Sequence, residues 1–113
     1  MFFGKFKKIK ENRERMLERL RAGRFYQVTC EKGHTPTLSA LDLWKRMDNV
    51  GERMLCPECY ESVMITEIKD GTLMTEEQKK KQQEDYLVWS EERKRELRRR
   101  QEARGIQEAA LGF

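Results

Sequence analysis

The sequence predicts an α+β protein: a small β module with a short inserted helix, flanked by an N-terminal helix and a long, charged C-terminal helix. Three observations carry this. Both Pro and four of the seven Gly fall within residues 23–71, which concentrates turns in the middle of the 113-residue chain. Val, Ile, Thr, Phe and Tyr cluster in the same stretch, as strands require. On either side, apolar residues recur at helical rather than alternating spacing among many charges. The charges divide in the same places: residues 1–24 carry nine Lys/Arg against three Glu, residues 25–74 five against eight acidic, and residues 75–113 ten against nine. Hence a basic N-terminal helix (1–24), an acidic module (25–74) and a long C-terminal helix (75–113) are expected. With 39% of residues charged and 37% hydrophobic, the chain can bury one small core, which excludes a second ordinary domain and a large ligand cavity.

In the N-terminal helix, Phe6, Ile9, Met16, Leu17 and Leu20 lie near one face, with a polar gap at Asn12 and Arg13. Gly23 is the stop, because glycine enters the left-handed conformation at little cost. Residues 25–29 form the first strand and 35–38 a short second one, which Pro36 confines to an edge. Ser39, with Asp42 three residues on, caps a helix whose apolar side is Leu41, Leu43, Trp44 and Met47. Residues 63–68 read as a strand turned by Asp70-Gly71 into a partner at 72–74. Thr75-Glu76-Glu77-Gln78 is a capping box that opens the long helix. Glu76/Lys80, Glu77/Lys81, Glu91/Arg95 and Glu96/Arg100 lace it in the favourable acid-first order.

The chemistry resides in the rarest residues. Cys30-Glu31-Lys32-Gly33-His34 and Cys56-Pro57-Glu58-Cys59 give C-x3-H, twenty-one intervening residues, and C-x2-C, consuming all three Cys and the one His. Two ligands on a tight turn hold half of a tetrahedral site, and two such turns complete it. Three sulfurs and an imidazole suit zinc rather than oxygen-seeking metals. Four protein ligands leave no open position for water or substrate, so the expected ion is a single structural Zn2+ and no enzyme activity is expected. A redox dithiol at Cys56 and Cys59 leaves Cys30 and His34 unexplained. A zinc deaminase needs H-x-E, where this chain has His34-Thr35-Pro36.

The pattern C-x2-G-H followed by C-P-x-C resembles the small zinc-ribbon and treble-clef modules that accompany homing endonucleases and occur in short proteins of phages and mobile elements. The resemblance covers about a third of the chain and implies a zinc-ribbon-like module. It does not carry over nuclease activity, because no catalytic cluster accompanies the motif. A treble clef places a helix directly after the last ligand, which Val63, Ile65 and Thr66 disfavour.

Closed zinc modules of this size generally bind nucleic acid or protein. The first expectation is a regulatory role in which the basic arms bind nucleic acid: Arg93, Lys94, Arg95, Arg98, Arg99, Arg100 and Arg104 lie within twelve residues. The same cluster also fits a solvated helix, since its charges point all round the axis. The alternative is an adaptor that grips a protein partner through Tyr86, Trp89 and Leu97, although packing on the N-terminal helix from Phe6 to Leu20 explains those residues more cheaply. Phe2, Phe3, Phe6 and Ile9 among lysines suit a membrane surface less well than these partners. Neither a membrane nor a small-molecule substrate is the expected partner. No apolar run approaches ~18 residues and lysines interrupt the start, so a cytoplasmic, reducing location is expected.

Overall fold

The computed structural model describes residues 2–110, with the side chains of residues 2, 3, 5 and 103–110 outside the description. The elements in chain order are α1 (Phe2–Ala22), β1 (Arg24–Cys30), β2 (Thr37–Ser39), α2 (Ala40–Arg46), β3 (Arg53–Leu55), β4 (Ser62–Leu73) and α3 (Glu76–Ala110). This is the expected α+β arrangement. The strands form one antiparallel sheet in the order β2-β1-β4-β3. Two compact units result, residues 1–80 and residues 81–113.

In the first unit the sheet is buried on one side. Alternation along β1 turns Tyr26, Val28 and Cys30 inward and leaves Gln27 exposed. Those side chains join Leu38, Met54 and Val63 from the other strands, Ala40 and Leu43 from α2, and Met16 from α1 in a single core. Met16 and Leu43 are wholly buried, so α1 is a structural part of this unit. Gly23 ends α1 at φ 62°, and Ser39 caps α2 by accepting the Asp42 amide at 3.1 Å. Thr75 and Gln78 exchange the reciprocal bonds of the capping box: Gln78 N–H to Thr75 Oγ1 at 3.2 Å and Thr75 N–H to Gln78 Oε1 at 2.9 Å.

Three features differ from expectation. Asp70-Gly71 is not a hairpin turn; β4 runs unbroken through it for twelve residues, pairing with β1 from Arg24↔Leu73 to Cys30↔Ile65. Gly71 serves a close approach instead, since a Cβ there would stand 2.7 Å from the Phe25 carbonyl oxygen, where β4 bulges past β1. A third strand, β3, forms at 53–55, where three residues carried too little pattern to announce it. The polar gap in α1 also has a use: Asn12 is buried and its Nδ2 donates to the Asn49 carbonyl at 3.3 Å and to the Met47 sulfur at 3.4 Å. It fastens α1 to the loop that leads into β3.

α3 is a single helix from Glu76 to Ala110. Glu96 pairs with Arg100 at 2.8 Å as the spacing predicts. Glu76 and Glu91 take the lysines three residues on, Lys79 at 3.3 Å and Lys94 at 3.7 Å, instead of the expected partners at four.

Candidate metal centre

The antiparallel pairing of β1 with β4 brings two turns to the same end of the sheet. β1 ends at Cys30, and the chain turns through Gly33, whose φ of 86° a residue with a side chain adopts only under strain. Gly33 N–H donates to the Cys30 carbonyl and Cys30 N–H to the His34 carbonyl, both at 2.9 Å, which holds the turn closed. The second turn joins β3 to β4: Tyr60 N–H donates to the Cys56 carbonyl at 2.9 Å and Cys56 N–H to the Glu61 carbonyl at 3.1 Å. Here the left-handed position falls on Tyr60, φ 58°, the one non-glycine residue with positive φ among the described residues. β4 follows at once. The predicted absence of a helix after Cys59 therefore holds, and Cys56 and Cys59 do not have the helix N-terminal setting of a redox dithiol.

Cys30, His34, Cys56 and Cys59 converge, with all four ligand atoms within 4.8 Å of one another. Cys30 Sγ lies 3.7 Å from His34 Nδ1 and 3.9 Å from Cys59 Sγ. Zinc bonds of about 2.3 Å to sulfur and about 2.0–2.1 Å to nitrogen set the edges of a tetrahedron at about 3.5–3.8 Å. Those two edges match. The third, His34 Nδ1 to Cys59 Sγ, is 2.8 Å, a hydrogen-bond distance that an ion would widen by about 0.7 Å. Cys30 and Cys56 are buried while His34 and Cys59 are half-buried, so the site sits in the wall of the core. These residues lie close enough to hold a metal ion.

The electrostatics favour a cation. Burial opposes ionisation of Cys30, but the amides of His34 and Lys32, together with Cys59 and the imidazole, outweigh it and lower the thiol's pKa. Cys56 is likewise lowered against the opposing burial, by the amides of Cys59 and Glu58 and by the neighbouring sulfurs. Cys59 goes the other way, pushed up to about 12 by burial and then by the sulfurs of Cys56 and Cys30. Three thiols in one place cannot all ionise without a compensating positive charge, which a dication would supply.

Supporting residues appear that the motif did not single out. Lys32 on the first turn pairs with Glu61 just after the second, and the pair lowers the Glu61 pKa and raises that of Lys32. Arg46 of α2 donates to the Leu55 carbonyl at 3.4 Å, steadying the chain one residue before Cys56. A charge contact between residues 29 apart, or a bond to a carbonyl nine residues on, has no local signature, so neither was legible from spacing.

The other candidate residues lie on α3 in the second unit. Residues 91–102 are all exposed, including Arg93, Lys94, Arg95, Arg98, Arg99 and Arg100; the side chain of Arg104 lies outside the described residues. Two of these cations are engaged within the helix, Lys94 by Glu91 and Arg100 by Glu96, and the Arg93 guanidinium stacks 4.7 Å from the centre of the Trp89 ring. Tyr86 and Trp89 are half-buried with ring centres 6.3 Å apart, whereas Leu97 is exposed. On α1, Lys7, Lys8, Lys10, Arg13, Arg15 and Arg21 are exposed, with Lys8 paired to Glu52 at 3.6 Å. Among the described residues, no helix is long and apolar enough to cross a membrane.

No family model matches the chain, and searches of curated proteins and of solved structures found no match.

Proposed function

We propose that this is a non-enzymatic protein in which Cys30, His34, Cys56 and Cys59 hold one structural Zn2+, organising a zinc-ribbon-like module that presents basic helices to nucleic acid in a regulatory role. The observation that carries the metal is the convergence of all three Cys and the only His from two turns 21 residues apart. Sulfur-rich donors select zinc over magnesium or calcium, and a closed four-ligand set assigns the ion to folding rather than catalysis. A reducing, cytoplasmic setting keeps the thiols available.

The nucleic-acid reading is supported by the exposure of the basic side chains on α1 and α3, set against a module whose own balance is acidic. Binding of this kind neutralises phosphates without reading bases, so it weakens steeply as salt rises. The test is fluorescence anisotropy with duplex and single-stranded oligonucleotides from ~50 mM salt upward. Replacing Arg98, Arg99 and Arg100 by Gln lowers affinity for all sequences about equally and flattens the salt dependence. Absence of binding at the lowest salt sinks this reading and leaves the adaptor reading, which the exposed Leu97 favours.

A further inference from the structure

Thirteen of the twenty-two residues from 81 to 102 are charged, yet one stripe along α3 is almost free of charge. Gln83, Leu87, Ser90, Lys94, Leu97 and Gln101 follow one another at alternating steps of four and three, the spacing of a helix–helix seam, and hold a single charge among them. Apart from Ser90, every member is exposed, and Leu87 and Leu97 are 56% and 58% accessible. Two leucines presented to solvent on an otherwise charged helix are a seam without a visible occupant.

The charge pattern says what the occupant is. Residues 81–92 carry four acidic groups against one Lys, whereas residues 93–102 carry six basic groups against two Glu. A second copy laid parallel sets like charges together; laid antiparallel it sets each acidic half on a basic half. We infer that α3 pairs antiparallel with α3 of a second copy of this chain through the stripe centred on Leu87 and Leu97.

The spacing is self-complementary about a two-fold axis near residue 92. Leu87 falls opposite Leu97 of the second copy, Gln83 opposite Gln101, and Ser90 opposite Lys94. On the flank, Glu84 of each copy lies opposite Arg98 of the other. Glu91 meets its counterpart near the axis, where each already has its own Lys94 at 3.7 Å to offset the repulsion. With only two leucines per helix, the pairing is weak and concentration-dependent.

Sedimentation equilibrium on the full zinc-loaded chain tests it. The apparent mass rises from 13.6 kDa toward twice that value as loading increases over roughly 10–500 μM. Leu87→Glu or Leu97→Glu weakens association by about tenfold or more while leaving helical circular dichroism intact, since both positions are exposed. Glu84→Arg also weakens it, and the exchange Glu84→Arg with Arg98→Glu restores it, which a parallel pair would not show because residues 84 and 98 of the two copies there lie two heptads apart. A chain that stays monomeric throughout, or a dimer indifferent to the leucine substitutions, overturns the inference; a dimer that the charge exchange does not rescue overturns its antiparallel sense.

Discussion

The two units of this protein are held by opposite means. In residues 1–80, side chains from four strands and two helices meet in one core, and four potential ligand atoms drawn from two distant turns converge at one end of the sheet. From residue 81 to residue 110 the structure is one helix, with contacts such as Glu96–Arg100 and Arg93–Trp89 made within a turn or so. Long-range order in the first unit requires the chain to return to itself, so it fails as a whole. Local order in the second fails residue by residue, because each contact closes only a short loop. The same sequence thus contains a cooperative part and a frayable part.

The largest effect that separates them is loss of a metal ligand. Cys59→Ser, or chelation of the wild type, unfolds the first unit, because a structural zinc contributes on the order of 10–16 kcal/mol in comparable small modules. The fluorescence of Trp44, which packs on the core, shifts to that of an exposed indole. Trp89 and a substantial part of the α3 helical signal persist, and single-tryptophan variants separate the two probes. If all helical dichroism vanishes on chelation, the contrast between the units is wrong.

A smaller break within the first unit comes from Met16→Ala. The side chain is fully buried in the core, and truncation at such positions costs about 2–5 kcal/mol. The denaturation midpoint of the sheet should fall accordingly, while amide exchange in residues 81–102 stays unchanged. Smaller again is Asn12→Ala, which leaves the Asn49 carbonyl without its donor and costs about 1–3 kcal/mol. Thermal unfolding of the zinc-loaded protein measures it; an unchanged melting temperature would mean that α1 is held without that contact.

Much of this organisation was legible in the sequence, and the parts that were not share a cause. The convergence of Cys30, His34, Cys56 and Cys59 was readable because Cys and His are rare here and their spacing is a local property of each turn. The capping box at Thr75, the Ser39 cap and the Gly23 stop were readable for the same reason, since each lies within four residues of its partner. Gly71 misled because Asp-Gly ordinarily turns a hairpin, and the Phe25 carbonyl that crowds it lies 46 positions away. Asn12 looked like an interruption of an apolar face; its partners Met47 and Asn49 are 35 and 37 residues distant. Tyr60 gave no sign of its left-handed backbone, because that conformation is dictated by closure of the Cys56 turn rather than by the tyrosine. Position-specific packing, unlike capping or ligand spacing, becomes visible only once the chain has folded.

We propose that four side chains from two turns form one metal site on which the first unit depends. Native mass spectrometry combined with elemental analysis, on protein purified under reducing conditions without chelator, tests it most directly. One zinc per chain is expected, lost together with folded-state charge states in Cys59→Ser. Metal-free protein that keeps a folded first unit, or a disulfide between any two of Cys30, Cys56 and Cys59 in that preparation, would contradict it.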